Sequence, residues 1–101
     1  MSEAWTDIGS IVARMEQCLA TLAPELVEIY DESGDHVGHA GAREGGGHYQ
    51  LLLVSHRFEN LGKVARHRLI YQALADMMQT EIHALAITAL TPQELREVFP
   101  R

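Results

Sequence analysis

Residues 34–47 read GDHVGHAGAREGGG, with six glycines in fourteen positions. Glycine loses more backbone freedom on folding than any other residue, so this stretch opposes both helix and strand. The chain must therefore close its core across the stretch, using elements on either side. Within a small domain a loop of this length is usually functional or mobile.

On the N-terminal side, Ile8, Ile11, Val12, Met15, Leu19 and Leu22 recur at helical spacing, predicting a helix over 7–22 with Thr6 as its N-cap. Cys18 falls beside that stripe and reads as a small buried hydrophobe. Pro24 disfavours helical geometry at Ala23 and ends the segment. Residues 25–31 then alternate as a half-buried strand through Leu26, Val27, Ile29 and Tyr30. Beyond the glycines, HYQLLLVS (48–55) predicts a second strand, antiparallel to the first.

Residues 58–62 read as a turn, and KVARHRLIYQALADMM (63–78) as the main helix. At 100° per residue, Val64, Ile70, Tyr71, Leu74, Met77 and Met78 fill one arc with His67 near its middle, and Arg66 and Arg68 fall on opposite flanks. IHALAITA (82–89) is the third strand. The last helix, TPQELREV, starts on Thr91 as N-cap, with Pro92 in the first turn and Glu94 at the capping-box position. Helices against one small mixed sheet make a single α+β domain.

The chain has 101 residues, enough for one domain, and its 47% hydrophobic content closes one modest core. A formal charge of −6 argues against a general nucleic-acid or anionic-membrane binder. The single cysteine allows no internal disulfide and makes a reducing compartment the default. The N-terminus lacks the basic and apolar regions of a signal peptide, and no apolar run approaches a membrane span. The expectation is a cytoplasmic protein.

The six histidines are the main chemical resource. His67, on the apolar helical face, reads as a hydrogen-bonded core residue, and His56, beside Arg57, as a solvated one. His48 opens a strand and points either way; His36 and His39 sit in the glycine-rich loop. His83 starts a strand whose alternation groups it with Leu85 and Ile87, a structural placement. Two or three histidines without carboxylates or thiols at fixed spacing are a weak metal signal. No nucleophile elbow, zincin motif or phosphate-cradling loop is present, so an enzyme is not expected. Residues 57–68, RFENLGKVARHR, hold Arg57, Lys63, Arg66 and Arg68 against one acid, Glu59, a local balance of +3 that keeps a phosphate backbone in view.

Taken together, FENLGKVARHRLIYQAL and the later IHALAITALTPQE closely resemble the BolA family, whose signature joins an R-H-R helix to an I-H-A-L strand. EIYDESGDH, HYQLLLVS and Arg57-Phe58 fit the same pattern upstream, so the resemblance spans residues 8–97. It implies an α-β-β-α-α-β order akin to class II K-homology domains, with a short helix near 58–61. It also implies pairing with a monothiol, CGFS-type glutaredoxin across a shared [2Fe–2S] cluster. There the glutaredoxin cysteine and glutathione supply thiolates, and this chain supplies His83. A second ligand would come from the loop between the first two strands, with His36, His48 and His39 as candidates in that order. The sequence departs from the family at Gly46-Gly47-His48-Tyr49, where members carry an acid and a serine before the histidine. The family is also associated with transcriptional control and stress-dependent cell shape, so DNA binding through 57–68 is the alternative, although the turn ENLGKV lacks a G-x-x-G clamp. Alone, the chain would be a monomer or weak homodimer.

Overall fold

The computed structural model describes residues 7–32 and 47–100. Thr6, the expected N-cap of the first helix, lies outside them. Helix α1, Asp7–Leu19, passes into a 3-10 turn at Ala20–Leu22. The chain then reverses at Ala23, which takes a left-handed conformation with φ 49° directly before Pro24. A helix of 13 residues is marginal by itself. Met15 and Leu19 are fully buried, and Ile11, Val12 and Cys18 pack against the core. Each large apolar side chain removed from water contributes about 1.5–3 kcal/mol, so burial rather than helix propensity fixes α1.

Strand β1, Leu26–Asp31, pairs antiparallel with β2, Gly47–Val54, and β2 pairs parallel with β3, Ile82–Leu90. The sheet order is β1-β2-β3. Val27, Ile29, Leu51, Leu53, Leu85 and Ile87 turn one face toward α1 and the central helices. The opposite face carries Leu26, Glu28, Tyr30, His48, Gln50 and Leu52, alternate residues of the same two strands.

Between β2 and the central helix lies a 3-10 turn, His56–Phe58, two residues earlier than the short helix expected at 58–61. Ser55, fully buried, organises it: its hydroxyl donates to Leu22 O at 2.6 Å and accepts from Arg57 N at 3.0 Å.

The main helix differs from expectation in two ways. It bends at Leu74 (φ −101°, ψ 15°), giving α2, Lys63–Ala73, and a short α3, Ala75–Met78. Its buried face is also rotated from the expected arc. Ile70, Leu74 and Met77 are buried, whereas Val64 is 70% and Tyr71 41% exposed. His67 is half-buried on the flank, not at the centre of a packed face.

Arg66 takes the inward position instead, its side chain only 13% exposed. Its guanidinium forms a fork with Glu94, at 2.6 and 3.1 Å, and also donates to Leu61 O at 2.8 Å and Ala89 O at 3.1 Å. Arg66, expected on a flank of the arc, is turned inward by this fourfold attachment. Glu94 belongs to α4, Pro92–Val98, where the expected capping box is complete: Glu94 N donates to Thr91 Oγ1 at 3.1 Å and Thr91 N donates to Glu94 Oε1 at 2.9 Å.

The Arg66 fork, then the Thr91 backbone N–H, hold the Glu94 carboxyl down at about 2. Its contribution to stability is therefore complete above the ordinary carboxyl range and is lost as pH falls toward 2. His56 works in the opposite direction. Its ring bridges Glu59 at 2.7 Å and Glu25 at 2.8 Å, which raise its pKa above 6.5. That contribution is complete below 6.5 and is lost as pH rises through the raised value. Denaturation curves at pH 2, 5 and 8 should show Glu94→Gln flattening the acid loss and His56→Gln flattening the alkaline one. Thr91→Ala should cost about 1 kcal/mol at neutral pH.

Candidate metal-ligand site

A bulge creates the site. Gly47 pairs with Ile82 but His48 pairs with Ala84, so β3 carries one extra residue, His83. Strand alternation breaks there. His83 does not share an orientation with Leu85 and Ile87, as the sequence pattern suggested; it is exposed beside buried Ile82. The bulge re-aims the imidazole toward β2, and its ring stacks on that of His48 with centroids 5.3 Å apart and planes at 29°.

His48 is half-buried on the sheet face away from α1. On its other side Glu32 N donates to His48 O at 2.8 Å, and the Glu32 carboxylate accepts from Gln50 Nε2. The start of β3 is itself tied down by Gly47 N donating to Glu81 O and by the Arg14–Glu81 ion pair at 2.6 Å. The two histidines are thus held by the adjacent ends of two bonded strands.

With metal–nitrogen bonds of about 2 Å, two imidazoles on one tetrahedral ion have centroids about 5 Å apart. The pair fits that span. Two neutral nitrogens fill half of a tetrahedral iron's positions, so the remaining ligands must come from elsewhere. Cys18, on α1, is half-buried against the core and is not part of this pair. Among the described residues no group of three or more His, Cys, Asp or Glu side chains could hold a metal ion.

His36 and His39 lie outside the described residues. Of the basic residues at 57–68, Arg57, Lys63 and Arg68 are exposed, while Arg66 is committed to Glu94. The bulge and the displaced arc carried no sequence signal.

The family model for BolA-like proteins matches residues 19–94. The chain belongs to the BolA family. Mouse BolA-like protein 1 is 41% identical over 89 residues, which cover 88% of this chain and 61% of that protein. The chain thus spans about three-fifths of the length of that relative. A DNA-binding transcriptional regulator BolA of Vibrio cholerae is 41% identical over 75 residues, 74% of this chain and 68% of that one. The solved structure of BolA1 from Arabidopsis thaliana superposes with a TM-score of 0.70 at 38% identity, covering 81% of this chain and 92% of its own. This BolA-family fold is the expected α+β domain with a three-stranded mixed sheet, and no helix among its described residues is long and apolar enough to cross a membrane.

Because His83 is exposed and sits outside the regular ladder, His83→Ala should leave the fold intact, with stability within about 0.5 kcal/mol of the parent. Chemical denaturation monitored by far-UV circular dichroism checks this. A loss of several kcal/mol would make His83 structural.

Proposed function

We propose that this BolA-family chain is a non-enzymatic adaptor that shares a [2Fe–2S] cluster with a monothiol glutaredoxin, in cluster trafficking or iron sensing. The observation that carries the reading is the His48–His83 pair, two imidazoles at chelating separation on bonded strands. His83 is the principal ligand and His48 the second, ahead of His36 and His39. The partner's cysteine and glutathione complete the set.

The cluster, when bound, supplies electron-transfer and transferable-iron chemistry. This chain's residues do three things. The bulge at His83 aims one imidazole; β2 fixes the other; and the neutrality of both lowers the negative charge on the iron they hold, as histidine ligation does in Rieske centres. Binding requires both rings deprotonated at the ligating nitrogen, so the complex weakens in acid. The setting is the reducing cytoplasm, where thiolate ligands persist.

A second reading, DNA binding through the basic helix, is favoured by the name of the Vibrio cholerae relative. It must proceed with Arg57, Lys63 and Arg68 alone, because Arg66 is bonded to Glu94.

Titrating a cluster-loaded glutaredoxin homodimer with this chain, followed by visible circular dichroism, tests the first reading. The parent should give a new spectrum saturating at one-to-one. His83→Ala should abolish it, and His48→Ala should alter it or lower the affinity by about tenfold or more. No spectral response from the folded parent would remove the shared cluster and leave the DNA reading.

A further inference from the structure

The two outer strands of the sheet are guarded differently. β1 carries Glu28 and Asp31 within six residues and is flanked by Glu25 and Glu32. Charges at a sheet edge discourage the addition of further strands. β3, at the other edge, runs nine residues without Asp, Glu, Lys, Arg or Pro, and its only irregularity is the bulge at its first turn.

The direction of its peptide groups follows from two hydrogen bonds. Ser55 N donates to Leu90 O, so Leu90 points into the sheet, and Arg66 Nη1 donates to Ala89 O, so Ala89 points out of it. The ladder is regular from Ala84 to Leu90, so Leu85 and Ile87 also present their N–H and C=O outward. Among the described residues no backbone or side-chain group bonds to them there. Arg66 closes the row at Ala89.

The C-terminal part of this edge, from Ile87 to Leu90, floors a groove of about 490 Å³, and Leu85 continues the edge just beyond it. One wall is α2, with Lys63 and His67; the other is α4, with Glu97 and Val98. We propose that the groove takes an extended polypeptide segment of a protein partner as a fourth strand on β3. The peptide groups of Leu85 and Ile87 supply the ladder, and Arg66 marks where it stops. Side chains of an added strand alternate between the two walls. Those facing Lys63 meet a cation and those facing Glu97 meet an anion. The segment that fits therefore alternates acidic residues on one side with basic or apolar residues on the other. The Glu94–Glu97 wall disfavours a phosphate backbone in the same place. The site stands apart from the His48–His83 pair and does not depend on the cluster reading.

The test uses the full chain, a display library of random dodecapeptides and, separately, single-stranded oligothymidylate. Selected peptides should slow amide exchange at Leu85 and Ile87 in the 15N-labelled chain, and should alternate in charge. Ile87→Pro removes an outward N–H without touching the β2 ladder, and should weaken binding by about tenfold or more while the amide spectrum stays dispersed. If Ile87→Pro fails to fold, exchange in the parent decides alone. Failure to select a binder would overturn the proposal, as would binders that leave those two amides unprotected. Protection by oligothymidylate instead would assign the groove to nucleic acid, and concentration-dependent protection without peptide would assign it to a second copy; either overturns it.

Discussion

The attachment of Arg66 to Glu94 governs how the C-terminal half is put together. One guanidinium reaches the turn after β2 at Leu61, the end of β3 at Ala89 and the first turn of α4, and its carbon lies 5.9 Å from the centroid of buried Phe58. This charge is partly withdrawn from water, and it is both paired and hydrogen-bonded. The same carboxylate that answers it completes the capping box of α4. Helix rotation, strand end and helix start are therefore fixed together, and the rotation places Ile70, Leu74 and Met77 in the core while leaving Val64 and Tyr71 outside.

That coupling explains which parts of the fold were legible in the sequence. Local signals survived. The order of elements, the antiparallel first pair and the Thr91-Pro92-Glu94 start all depend on residues close in the chain. The arc on α2 survived only in part, with Ile70, Leu74, Met77 and Met78 inward but Val64 and Tyr71 outside, because its orientation is decided by Glu94, 28 positions from Arg66. Periodicity counted Val64 and Tyr71 as inward because they are apolar, and it could not see that Arg66 had a distant carboxylate partner in Glu94.

The candidate site divides in the same way. His83 was singled out by the I-H-A-L resemblance, whereas alternation alone placed it with Leu85 and Ile87. A bulge is an event between two strands, set by how Gly47 and His48 meet β3, and it leaves no mark in the nine residues of β3 itself. The sequence's departure from the family at Gly46-Gly47 bears on His48 in the same way. In the structure Gly47 is the residue that pairs with Ile82 and brings His48 into line with the bulge.

β3 thus has different chemistry at its two ends. Its start carries the one residue that leaves the ladder, beside a histidine on the neighbouring strand; its end is closed by the Arg66 guanidinium. Between them the edge is uncharged, and among the described residues nothing bonds to the outward peptide groups of Leu85 and Ile87. A long uncharged edge is a liability for aggregation unless something covers it. The acidic residues on and beside β1 show that the sequence does protect the opposite edge. Leaving β3 bare while anchoring its far end to Arg66 is consistent with selection for a defined strand partner over general protection from self-association. The bulge at His83 breaks the regular ladder at the start of β3 and aims an imidazole toward His48, apart from the edge at Leu85 and Ile87.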